Sequence, residues 1–109
     1  MEVKRTRGYE KDIRRLRLDP SEVEAIERTI VANPDAGDRI PGLLGVRKPR
    51  FAMAGRGKRG GGRAIYYVPV AAGQIMMIAA YAKNEQTDLM STQKKTIIAL
   101  IKEIKHGNR

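Results

Sequence analysis

The sequence predicts an α+β fold of order β-α-α-β-β-β-α: a small, mostly antiparallel sheet with its helices on one face. Three observations predict it. Two apolar stripes of helical period, each preceded by a capping residue, fill the first third of the chain. Three short apolar runs punctuated by glycine and proline follow over residues 46–83. A third helical stripe closes the chain. With 109 residues, 41% of them hydrophobic, residues 1–109 suit one domain.

The elements follow in order. Residues 1–5 alternate weakly around Val3 and read as a short edge strand. Thr6 caps a first helix whose Tyr9, Ile13 and Leu16 share one face, with Lys11, Arg14, Arg15 and Arg17 largely on the wet side. Asp19-Pro20-Ser21-Glu22 is a strong helix start, with Asp19 as cap, Pro20 in the first helical position and Glu22 completing a capping box. Val23, Ile26 and Ile30 line that helix, which ends near Ala32 or Asn33 because Pro34 disfavours helix before it. Residues 33–45 form a connector that Ile40, Leu43 and Leu44 pin to the core. The next strand spans residues 46–54, with Lys48 and Arg50 on one face and Pro49, Phe51 and Met53 on the other. Pro49 cannot donate to a ladder, so it places this strand at an edge or a bulge. A glycine-rich loop, residues 55–62, leads to a hairpin of residues 63–70 and 74–83. Ser91 caps the last helix, lined by Ile97, Ile101 and Ile104 and stopped near Gly107. The second sheet face is left to the basic residues.

Charge narrows the function. The net charge is +10, yet residues 39–84 contain no Asp or Glu and hold nine of the Lys and Arg residues. Such a field attracts polyanions, with nucleic acid first and an acidic protein second. The chain has no cysteine, which removes disulfides and thiolate chemistry. No apolar run reaches the roughly 18 residues of a membrane helix, and the N-terminal segment has no apolar signal core. The expectation is a cytoplasmic protein with no membrane partner.

Two constellations carry chemistry. The loop Gly55-Arg56-Gly57-Lys58-Arg59-Gly60-Gly61-Gly62 reads either as a phosphate grip, with glycines that let backbone N–H groups approach an anion, or as a solvated hairpin tip. Lys48, Arg50, Arg63, Tyr81 and Lys83 converge if adjacent strands pair. They form either a site for a scissile phosphate or a plain basic surface. The single histidine, His106, falls in the last helical turn, where it interacts with the helix C-terminus. One His and no Cys leave no metal-ligand cluster. Asp35 and Asp38 shape a turn, and Met76 and Met77 fill core.

Four segments, NPDAGDRIPG, GVRKPRFA, GRGKRGGGRAIYY and AYAKNEQTDL, occur in an order and spacing that resembles the RelE/HigB-like toxins of bacterial type II toxin–antitoxin modules, closest to the HigB branch. The resemblance runs from about Tyr9 to the last helix. It implies a RelE-like fold and a metal-independent mRNA endoribonuclease, with no cofactor, that cuts message on the ribosome by attack of a 2′-OH on the adjacent phosphate. It also implies a cognate antitoxin, a DNA-binding helix-turn-helix protein, that holds the toxin inactive. Carried onto this chain, the basic patch is Lys48, Arg50, Lys58, Arg63, Tyr81 and Lys83, of which Lys48, Arg50, Arg63, Tyr81 and Lys83 are the candidate catalytic residues; Lys58 joins Arg47, Arg56 and Arg59 of the basic span as a candidate RNA contact. Leu44 stands where such proteins commonly have glycine, and Pro49 where they have a β-branched residue. Two rivals remain open: a non-catalytic RNA- or DNA-binding module, and a gyrase-inhibiting toxin on the same fold.

Overall fold

The computed structural model describes residues 1–53, 61–69 and 73–107. The chain runs β1 (Glu2–Arg5), α1 (Arg7–Leu16), α2 (Pro20–Ala32), β2 (Arg50–Phe51), β3 (Gly62–Tyr67), β4 (Gln74–Ala82) and α3 (Ser91–Gly107). This is the predicted order. The strands form one sheet in the order β1-β4-β3-β2, with β1 parallel to β4 and the other pairs antiparallel.

Local sequence explains the helix ends. The Thr6 hydroxyl accepts from the Tyr9 N–H at 3.2 Å, and Arg17 ends α1 in the left-handed region at φ 56°. Asp19 and Glu22 form the full capping box at the start of α2. The expected strand over residues 46–54 contracts to Arg50–Phe51 plus a bridge from Arg47 to Tyr66. Pro49 is the reason: it offers only a carbonyl, which accepts from the Ala64 N–H at 3.0 Å. It lies at the sheet edge, as its chemistry requires.

The layering differs from the expectation of helices on one face. Ala64, Tyr66, Ile75, Met77, Ala80 and Ala82 pack with α1 and α2. Ile65, Tyr67, Ile78 and Tyr81 pack instead with Ile97 and Ile101 of α3 and with Ile40, Leu43 and Val46 of the connector. The sheet is therefore covered on both faces. The cause is legible in β3, where residues 64–67 are apolar on both parities and need two apolar layers. Basic residues occupy the strand ends, not the whole second face. Ile78 is an extra residue in β4 where the register with β3 shifts between Ile65 and Tyr66, and it joins Ala79 on the α3 side. Leu44 does not pin the connector. It is 40% exposed, at φ 59°.

Among the described residues the pairing of β1 with β4 ends at Met77, and beyond it side chains near α1 take over the outer edge of β4. The Thr6 hydroxyl lies within hydrogen-bonding distance of the carbonyls of Met77 and Ile78, Asp12 accepts from the Ala80 N–H at 2.9 Å, and Arg15 donates to the Ala80 carbonyl at 3.1 Å. A polar network also ties β1, α1 and α2 together. Arg5 donates twice to Glu27, at 2.8 and 2.9 Å, and the Tyr9 hydroxyl donates to Glu27 at 3.0 Å. Among the described residues no helix is long and apolar enough to cross a membrane.

Candidate functional site

Three strands bring the site together. Arg50 on β2 pairs with Arg63 on β3, and Arg63 pairs with Tyr81 on β4. The three residues form one row across the sheet, on the face shared with α3. Gly62 permits the close approach beside that row. A Cβ there would lie 2.5 Å from the Tyr81 carbonyl oxygen and 2.7 Å from the Phe51 ring. Lys48 lies two residues before Arg50 on the same strand parity, and Arg63 donates from Nη1 to its carbonyl at 3.2 Å.

The electrostatics divide the row. Arg50 is exposed and Arg63 half-buried. The Lys48 ammonium stands 3.9 Å from the Asp88 carboxylate, whose Oδ1 also accepts from the Leu89 N–H at 2.8 Å. Asp88 escaped the sequence reading because residues 84–90 carry no period. Its only signal is that it lies just past the acid-free span.

Tyr81 departs furthest from expectation. It is 2% exposed, not a surface residue, and its hydroxyl has no hydrogen-bond partner among the described residues. Burial, then the negative charge of Asp88, push its phenol above the ordinary value, while Arg63 opposes them. The phenol is therefore protonated at neutral pH and can donate a proton; it is not a base there.

Lys83 is exposed two residues beyond Tyr81, and its backbone N–H donates to the Gly61 carbonyl at 3.0 Å. The chain just after it is clamped. Glu85 accepts from the Ala82 N–H at 3.0 Å and from Arg15 at 2.7 and 3.3 Å, and Arg15 also pairs with Asp12. The Arg15 guanidinium holds the Glu85 carboxyl below its usual range. The glutamate of the AYAKNE segment is thus a positioning residue. Its partner was hidden in a charge on the wet side of α1, 70 positions away.

Arg47 does not join the row. Its Nη1 donates to the Asp35 and Gly37 carbonyls at 3.1 and 2.8 Å, and its Nη2 lies 3.6 Å from the Asp35 carboxylate. Arg56, Lys58 and Arg59 lie outside the described residues. His106 sits in the last turn of α3, where the sequence places it. Among the described residues no group of three or more His, Cys, Asp or Glu could hold a metal ion.

The family model described as the RelE toxin of the RelE/RelB toxin–antitoxin system matches residues 1–108. Among solved structures, the chain is similar to a double-arginine mutant of the E. coli toxin RelE in the free state. The TM-score is 0.53 at 12% identity, over 79% of this chain and 86% of that one. At that identity the likeness speaks for the fold alone, and the fold agrees with the element order and sheet above. The family match spans nearly the whole sequence: this chain belongs to the RelE toxin family of toxin–antitoxin systems.

Proposed function

We propose that this protein is a single-domain toxin, residues 1–109, that cuts messenger RNA on the ribosome and is held inactive by a cognate antitoxin. The observation that carries the reading is the row Arg50–Arg63–Tyr81 beside Lys48. Two guanidiniums and a protonated phenol in line suit a phosphate that gains charge as it reacts. The 2′-oxygen forms a bond to the adjacent phosphorus, and the bond from phosphorus to the 5′-oxygen breaks. The products are a 2′,3′-cyclic phosphate and a 5′-hydroxyl. Arg63 and Arg50 stabilise the phosphorane-like transition state. Lys48 or Lys83 assists removal of the 2′-proton, and Tyr81 donates a proton to the departing 5′-oxygen. The cytoplasm, where ribosomes and message are, is the place of action. The acid-free basic span favours an antitoxin with an acidic segment.

The test is Arg63→Ala. Message cleavage on programmed ribosomes is expected to fall about a hundred-fold or more, because removing one transition-state donor typically has that effect. The melting temperature should change little, since Arg63 is half-buried and stands outside the apolar core. A folded Arg63→Ala protein that cuts at the wild-type rate would remove the row from the active site. A wild-type protein that binds message and never cuts it would leave a binding module.

A further inference from the structure

The charge-bearing feature that the proposed chemistry does not use is a pocket of about 280 Å³ at the sheet edge, where the connector meets the end of β3 and the last turns of α3. Arg39, Arg47 and Lys105 line it, with Tyr67, Gly45 and Asp35. Arg47 is committed to Asp35 and to the Gly37 carbonyl. Among the described residues no carboxylate lies within ion-pair distance of Arg39 or Lys105. The lining thus holds three cations against one carboxylate, and that carboxylate is already engaged. Like charges gathered at one pocket repel, and a bound anion relieves the repulsion. Gly45 turns the chain at the pocket wall with φ 98°, and its Cα side faces Arg39 Nη2 and the Tyr67 ring, each 3.7 Å from where a Cβ would stand.

The pocket continues the proposed cleavage site. Arg47 pairs opposite Tyr66, three residues along β3 from the Arg50–Arg63 pair, which is about 10 Å at strand rise. We propose that this pocket holds a backbone phosphate of the same RNA strand, flanking the one that is cut, with Arg39 and Lys105 as its ligands. A docking site for an acidic peptide is the competing outcome. RNA is favoured because the pocket and the row share one strand edge. The inference rests on the RNA reading of the row, and its test is separable from it.

The test uses a short 2′-O-methyl oligouridylate, which cannot be cut, and reads affinity against salt. Both Arg39 and Lys105 are exposed, so their loss should leave the fold intact. Each neutralised phosphate of a single strand contributes roughly 0.7 to the log–log slope, so Arg39→Ala with Lys105→Ala, which together hold one phosphate, should lower the slope by about 0.7. Lys95→Ala with Lys102→Ala removes the same charge from exposed positions of α3 outside the pocket lining, and should leave the slope near wild type. Equal slope losses in both double variants would overturn the site and leave only a general field. An unchanged slope in the Arg39 and Lys105 variant, together with lost binding of polyglutamate, would overturn it in favour of a protein-docking surface. If wild-type protein fails to cut message, the proposed function falls, and the slope comparison still decides whether the pocket binds a phosphate.

Discussion

Two buried tyrosines on opposite faces of the sheet stand in opposite circumstances. Tyr9, on the α1–α2 face, is fully buried, and its hydroxyl donates to Glu27, which Arg5 holds from the other side. Tyr81, on the α3 face, is buried to nearly the same degree, and its hydroxyl has no partner among the described residues. Burial is the leading cause that raises both phenols, but Tyr9 also answers to Glu27 and Tyr81 to Asp88 against Arg63. A buried hydroxyl left without a partner costs about 1–3 kcal/mol of stability. The first face is thus satisfied internally, and the second holds a donor in reserve beside two guanidiniums. The difference separates a polar group that holds the fold from one that suits chemistry.

The largest stability effect is expected on the satisfied face. Glu27→Ala leaves the Tyr9 hydroxyl buried without its acceptor and frees the half-exposed Arg5. Discounting Arg5 for solvent, the loss should be about 2 kcal/mol, read by urea denaturation. Cleavage per folded molecule should not change. A Glu27→Ala protein as stable as wild type would remove the contrast between the faces.

The second expectation concerns pH. The folded-state pKa of Glu85 lies below its unfolded value of about 4.5. Its contribution is therefore present above that value and lost as pH falls through the folded pKa. Glu85→Gln should therefore lower stability at neutral pH and flatten the acid limb of the profile below about pH 4.5, because the carboxylate's contribution is no longer there to be lost. An unaltered acid limb would show that the clamp on the end of β4 does not act through this carboxylate.

Much of this architecture was legible in the sequence, and the exceptions have physical causes. Capping residues act within three positions, so Thr6, Asp19 and Glu22 announce their helices. Pro49 announces an edge because its missing N–H is a local fact. The pairing of Arg63 with Tyr81 follows from a hairpin, which is also local. The position of α3 is not local: an apolar stripe says that a helix packs, not where. The run Ala64-Ile65-Tyr66-Tyr67, apolar at every position, was the available sign that both faces needed cover. Asp88 beside Lys48, and Arg15 beside Glu85, are ionic contacts between distant segments that no period encodes. The hairpin places Tyr81 beside Arg63, but its burial depends on Leu89 and α3, which only the fold supplies.

The smallest expectation concerns the connector on the α3 face. Leu44 holds φ 59° with its side chain 40% exposed, a conformation that costs a non-glycine residue about 1–2 kcal/mol. Glycine relieves that strain but adds freedom to the unfolded chain, so Leu44→Gly should raise stability by no more than about 1 kcal/mol. Differential scanning calorimetry reads the sign. A clear loss would mean that the Leu44 side chain supports this face through contacts outweighing its backbone strain.

The two tyrosines offer the most direct measurement. Tyr9→Phe and Tyr81→Phe are each scored for melting temperature and for cleavage of message on programmed ribosomes. Tyr9→Phe should lose about 1–3 kcal/mol, because Glu27 loses a buried donor, and should cut as wild type once folded. Tyr81→Phe should be as stable as wild type or more so, because it removes a hydroxyl with no partner among the described residues. Its cleavage rate should fall about a hundred-fold, the usual contribution of a positioned proton donor. A stable Tyr81→Phe protein that cuts message at the wild-type rate would contradict the account, because its hydroxyl would then serve neither the fold nor the reaction.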